Sequence, residues 1–241
     1  NMLKNHNTGT VLRLAASALA LSICFSPKAN AQNFMDVTKP VLEDYFAPVT
    51  TEPATPDAKG FIGRWALLEP LAKPEIRSNA IFNDTYLKGE FANVWTEAFS
   101  ATPKEGKKIK LDKKTYTMWH FYDSKLYNVK LYRFATGLGL HATEALYLAT
   151  TVINAPEDMT VRLAVGSNSA SQWWLNGEEV LLLSGDRRMV VDDVVSKKIT
   201  LKAGANVLRG AVINGPGMSD FCVRFLDLEG KPVKNITISI N

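Results

Sequence analysis

The strongest candidate for ligand chemistry is the pair Trp173–Trp174, flanked by the run Gly166-Ser-Asn-Ser-Ala-Ser-Gln172 and the turn residues Asn176-Gly177. In an extended strand successive side chains point to opposite faces. Trp173 and Leu175 therefore share a face and belong to a core, while Trp174 faces the other way. An outward indole beside polar loops can stack on the apolar C–H face of a sugar ring while neighbouring groups hydrogen-bond its edge. Asn168 offers a mixed donor and acceptor, Arg187 and Arg188 offer donors, and Asp192 completes the candidate ligand-binding set. The competing reading is structural: turn chemistry alone selects Asn and Gly here, and an outward Trp can lie beneath a loop.

Catalytic patterns are sparse. There is no Gly-x-Ser-x-Gly turn, no His-x-x-x-His and no paired-cysteine metal motif. His120 sits in an aromatic, strand-like run and His141 in a loop after Gly137-Leu-Gly139-Leu. Ser184-Gly185-Asp186 and Ser219-Asp220 place serine near carboxylate without a base. Two facing carboxylates suffice for a glycosidase, and Asp186, Asp192 and Asp193 are where such a pair would be sought.

The elements that position these residues are short β-type runs separated by turn residues. They include Phe61–Leu68, with Trp65 and Leu67 on one face, Thr115–Phe121, Tyr127–Phe134 and Leu146–Asn154. Thr160–Val165 alternates cleanly. Gln172–Leu175 enters the Asn176-Gly177 hairpin turn. Lys198–Leu201, Asn206–Ile213, Phe221–Leu226 and an edge run Asn235–Ile240 follow. One helix is expected over Asp84–Trp95, where Phe82, Tyr86 or Leu87, Phe91 and Trp95 recur at helical spacing behind Asn83-Asp84. Many short strands with little helical periodicity point to a β-sandwich or barrel.

Residues 1–31 have the three parts of a secretory signal: Lys4 and Arg13, an apolar run from Leu14 to Phe25, and Ala29-Asn30-Ala31 at the expected cleavage site. The apolar run is about a dozen residues, short of the roughly 20 that span a bilayer. Cys24 follows bulky Ile23, which disfavours lipidation. Cleavage after Ala31 would remove three basic residues and no acid, taking the net charge from +4 to +1. That near-neutral balance argues against nucleic acid and against anionic membrane as partners, and no membrane insertion is expected after cleavage. The basic stretch Lys104–Lys114 is broken by Glu105, Gly106 and Asp112 and reads as a hairpin turn. Cys222 would be the single remaining cysteine, buried and inert.

Residues 32–60 read as an N-terminal extension: a short helix capped by Asp36 and carrying Val41, Leu42, Tyr45 and Phe46, then an extended linker punctuated by Pro48, Pro53 and Pro56. Residues 61–241 then form one domain.

The segment from Ala164 to Gly230 carries a family resemblance. Gly166-Ser-Asn through Trp173-Trp-Leu-Asn-Gly177 comes first, then Asp186-Arg187-Arg188 and Asp192-Asp193. Leu201-Lys-Ala-Gly-Ala-Asn206 and Phe221-Cys-Val-Arg-Phe-Leu-Asp227 follow in order. This series resembles the galactose-binding-like jelly rolls, and Arg64-Trp-Ala-Leu-Leu-Glu-Pro70 resembles their opening strand. The resemblance implies an all-β jelly-roll sandwich of secreted Bacteroidetes polysaccharide-utilisation proteins, some relatives of which are labelled acetylxylan esterase. It implies a carbohydrate ligand such as xylan, with a glycan-processing enzyme as a further partner, in the periplasm or outside the cell. Asn168 and Ser169 stand where relatives often carry acidic residues, which weakens the carry-over of a calcium site: no cofactor is expected, with a structural calcium as the alternative; Arg209-Gly210-Ala211 stands where a lysine is usual. A non-catalytic carbohydrate-binding module, a carbohydrate esterase or its accessory subunit, and a protein-docking module remain the alternatives.

Overall fold

The computed structural model describes residues 42–73 and 82–241. The expected signal segment and the Asp36 cap lie outside the described residues. In chain order the elements are α1 (Leu42–Tyr45), β1 (Phe46–Pro48), β2 (Arg64–Leu68), β3 (Leu71–Ala72), α2 (Asp84–Phe91), α3 (Glu97–Ser100), β4 (Ile109–Lys110), β5 (Tyr116–Thr117) and β6 (Trp119–Ser124). Then come α4 (Leu131–Gly137), β7 (Ala145–Ala155), β8 (Met159–Asn168), β9 (Ala170–Leu175), β10 (Glu178–Leu183), β11 (Val194–Val195), β12 (Ile199–Leu201), β13 (Gly204–Asn214), β14 (Asp220–Leu226) and β15 (Thr237–Ser239). The protein is all-β in class, with short helices attached.

The larger sheet runs β1-β6-β2-β7-β13-β9-β10, with β3 and β15 also paired to β7. The smaller is built on β8, which pairs antiparallel with β14, β11 and β12. Between them lies a core in which Trp65, Trp173 and Phe221 meet edge to face, with centroids 5.1 to 5.9 Å apart. Such aromatic contacts contribute about 1 kcal/mol each beyond the area they bury. Val161, Leu163 and Val165 of β8 and Val223 and Phe225 of β14 fill the same layer, as their alternation requires.

The large sheet is covered on its other face too. Leu87 and Phe91 of α2, Val94 and Phe99 pack against Ala66, Leu68, Leu148, Ala211 and Ile213. The helix α2 starts where its pattern places it but ends at Phe91, short of the expected Trp95. Asn83 caps it, its side chain accepting from the Tyr86 N–H at 3.0 Å.

One expected strand is corrected. Tyr127–Phe134 is not a strand: Val129 makes a single bridge to Phe221, and the chain then turns into α4. The aromatic and aliphatic residues there favour strand intrinsically. Leu131, Phe134 and Ala135 nevertheless sit at i, i+3 and i+4, and only a helix sends all three into the core, where they are fully buried.

Residues 49–63 contain no helix and run against the sandwich. Buried Arg64 secures them: it donates to Glu52 O (2.6 Å) and Thr50 Oγ1 (3.1 Å) while gripping both oxygens of Asp123 at 2.8 Å. Ala54 pairs with Ile238 through two backbone hydrogen bonds.

Candidate functional site

The hairpin of β9 and β10 positions the tryptophan pair. Asn176 (φ 51°) and Gly177 (φ 85°) take the left-handed conformations of a two-residue turn. Asn176 is braced across the sheet: its Nδ2 donates to Asn206 Oδ1 at 3.0 Å, and its Oδ1 accepts from the Val207 N–H at 2.9 Å. Asn206, fully buried, donates in turn to Lys202 O and Gly204 O and accepts from the Lys202 N–H. This brace fixes β13 on β9 so that Arg209 lies opposite Trp174 and Gly210 opposite Trp173.

Alternation then does the rest. Trp173 is fully buried in the inter-sheet core, its Nε1 donating to Ser171 Oγ at 2.9 Å. Trp174 points to the opposite face, where it is partly buried. Phe91 and Trp95 meet its ring edge to face, at 6.4 and 6.1 Å between centroids.

Beside these rings opens a cleft of about 290 Å³, lined by Phe91, Trp95, Ser100, Trp174, Gly177 and Arg209. The Arg209 guanidinium lies 5.4 Å from the centre of the Trp95 ring, and its Nη2 donates to Ser100 O at 2.7 Å. Burial lowers the Arg209 pKa from its ordinary value. Trp95 Nε1 is buried and has no acceptor among the described residues. The cleft thus combines two indoles with donors in excess of acceptors. That set can hold a small ring against an apolar wall and hydrogen-bond the oxygens at its edge.

The other candidate residues lie elsewhere, and none of them lines this cleft. Asn168 ends β8 opposite Asp220, and its carbonyl accepts from Ser219 Oγ at 2.9 Å. Arg187 donates to Ser184 O (2.9 Å) and pairs with Asp193 at 2.6 Å. Arg188 is exposed. Asp192 is held by the Arg224 guanidinium at 2.5 and 3.0 Å. Arg187 and Asp192 are therefore engaged within the chain. Sequence reasoning missed Trp95 and Arg209 as companions of Trp174. Phe91 and Trp95 were visible as a helical pair, but the register that brings Arg209 across is set by residues some 35 positions away.

A second, larger cleft of about 660 Å³ is lined by Asp57, Lys59, Phe61, Tyr127, Val191 and Arg224. Its guanidinium is already neutralised by Asp192 and stacked 4.8 Å from the centre of the Phe61 ring.

His120 Nε2 lies 2.9 Å from Glu69 Oε1, and its ring stacks on Tyr122. His141 Nε2 lies 3.2 Å from Thr143 Oγ1. Among the described residues neither imidazole is hydrogen-bonded to a serine hydroxyl. No cluster of three or more His, Cys, Asp or Glu with metal-site geometry occurs among the described residues. None of the described helices is long and apolar enough to cross a membrane. Cys222 is buried and unpaired, and desolvation pushes its thiol up to about 12.

With fold and cleft defined, the molecule belongs to the class of all-β sandwich proteins. No protein-family model and no curated protein matches its sequence. Several solved structures are similar in three dimensions. One is a PA14 sugar-binding domain from an RTX adhesin (12% identity, TM-score 0.43, covering 72% of this chain and 94% of that one). Another is the PA14 domain of an antifreeze protein (12%, TM-score 0.44, covering 79% and 96%). A third is the A domain of epithelial adhesin 9 from Candida glabrata, in complex with Galb1-4GlcNAc (8%, TM-score 0.41, covering 79% and 95%). At this level of similarity nothing about ligand or activity transfers.

Proposed function

We propose that the protein is a carbohydrate-binding module, exported from the cytoplasm and acting in the use of plant cell-wall polysaccharide, and that the Trp174 cleft receives the glycan. The observation that carries this reading is the convergence of Trp174, Trp95 and Arg209, drawn from β9, the α2–α3 connection and β13, at one opening. Indoles supply apolar wall and an arginine supplies fixed donors, which are the two demands of a pyranose ring. The cleft volume of about 290 Å³ sits at the lower end of ligand sites and suits one sugar unit of a chain running past the opening. The secretory pattern of residues 1–31 and the resemblance to polysaccharide-utilisation proteins support the setting, with a glycan-processing enzyme as partner.

Affinity electrophoresis of the purified protein in gels containing xylan, pectin or galactan tests the reading. Retardation by at least one polymer is expected, relieved in Trp174→Phe and Trp95→Ala. Migration unaffected by every polymer, or retardation untouched by both substitutions, would overturn it.

A further inference from the structure

Arg64, Arg187 and Arg224 are each paired with an aspartate, at 2.8, 2.6 and 2.5 Å. Arg209 is not. Its one side-chain hydrogen bond goes to the neutral carbonyl of Ser100, and no carboxylate reaches it among the described residues. It nevertheless sits in mid-sheet, flanked by Thr150 of β7 and Trp174 of β9, with Trp95 against its guanidinium. The carboxylate in the same cross-strand row, Glu179 opposite Trp174, is exposed and forms no ion pair with it. A partly desolvated cation without a counter-charge is costly unless a ligand supplies one. The rest of its planar fork of N–H donors is unused by side chains of the described residues, a geometry that matches a carboxylate in bidentate fashion. Trp95 Nε1, also short of an acceptor, adds to the deficit of negative charge in this wall.

We infer that the cleft takes a carboxylated sugar, a uronic acid unit of an acidic polysaccharide, with its carboxylate on Arg209 and its ring against the Trp174 and Trp95 indoles. This rests on the carbohydrate-binding reading and narrows it to a ligand class. A neutral sugar would leave the guanidinium uncompensated. A carboxylate without a ring would leave the indoles unused.

Isothermal titration with galacturonate oligomers, and with the same oligomers after reduction of their carboxyl groups, separates the terms. The acidic oligomers should bind at least about tenfold more tightly, the scale of one charge-assisted hydrogen bond. Arg209→Met should bring the two to parity, its folding checked by thermal unfolding. Arg209→Lys, which keeps the charge and most of the stem but loses the fork, should shrink the preference several-fold and carries the test should the Met variant fail to fold. Galacturonate monomer should compete and lactate should not. Equal binding of both oligomer forms, weakened alike by Trp174→Phe, would overturn the uronate assignment and leave the carbohydrate reading standing. A preference unchanged in Arg209→Lys, or competition by lactate as strong as by galacturonate, would also overturn it. Failure of both forms, and of xylan and galactan, would remove the two together.

Discussion

Gly210 lies beside Arg209 in β13, directly opposite Trp173, and its replacement by alanine tests whether the strand that carries the cleft is locked by the core beneath it. A methyl group there would meet three atoms of the Trp173 ring at 2.4, 2.6 and 2.7 Å. Carbon atoms in contact sit at roughly 3.5–4.0 Å, so the ring must retreat by about 1 Å. It has nowhere to go. Trp173 is wholly buried, tied to Ser171 by its indole N–H, and wedged against Trp65 and Phe221. Overpacking of this kind costs about 1–3 kcal/mol, and a rigid ring in a full cavity belongs near the upper end. Against this, alanine recovers about 0.5–1 kcal/mol of backbone entropy in a strand. The net expectation is a loss of about 2 kcal/mol in urea unfolding with an unchanged m-value, accompanied by weaker glycan binding as β13 shifts Arg209. A change below about 0.5 kcal/mol, with binding intact, would refute the claim that Gly210 is required by the close approach of Trp173.

Three other outcomes follow from particular contacts. Asp123→Ala leaves the buried Arg64 guanidinium with only Glu52 O and Thr50 Oγ1, and should cost about 3 kcal/mol in the same assay. Trp174→Ala removes a partly buried indole from Phe91 and Trp95 and should cost about 2 kcal/mol, not the near-zero cost of a fully exposed ring. The Cys222 thiol, raised to about 12, stays protonated in the folded chain while the unfolded chain releases its proton above roughly pH 8.5. Its stabilising share is complete below that point and fades toward pH 12, by about 1.4 kcal/mol per unit. Tyr147, also raised by burial, adds its own loss only above about pH 10. Urea titrations between pH 8.5 and 10 should show the Cys222 slope in the wild type and lose it in Cys222→Ala.

Much of this architecture is written locally in the chain. Asn176-Gly177 demands a two-residue hairpin whatever lies around it, and period-two alternation then sends Trp173 inward and Trp174 to the other face. The inward strings Val161, Leu163, Val165 and Phe221, Val223, Phe225 are legible for the same reason, as is the Asn83-capped helix. What covers the far face of the sheet is not local. Nothing near Trp174 announces Phe91 and Trp95, which arrive from about 80 residues upstream. The Arg209 register depends on a bond between Asn176 and Asn206. The segment Leu131–Gly137 misleads because strand-favouring residues were placed at helical spacing, and tertiary burial decided in favour of the helix. The charge balance of Arg64 and Arg224 is equally invisible in sequence, since their aspartates, Asp123 and Asp192, lie 59 and 32 residues away.

The central claim is that Trp174 and Trp95 together face a sugar. Of the five tryptophans, Trp65, Trp119 and Trp173 are at most 1% exposed, so only two indoles can answer a ligand directly. Indole N–H resonances of ¹⁵N-labelled protein, followed while galacturonate or neutral glycan oligomers are added, report on each ring separately. Saturable shifts of the Trp174 and Trp95 signals are expected, with the other three unmoved. Saturable shifts confined to residues around Phe61, Tyr127 and Arg224, with both of those indoles silent, would contradict it.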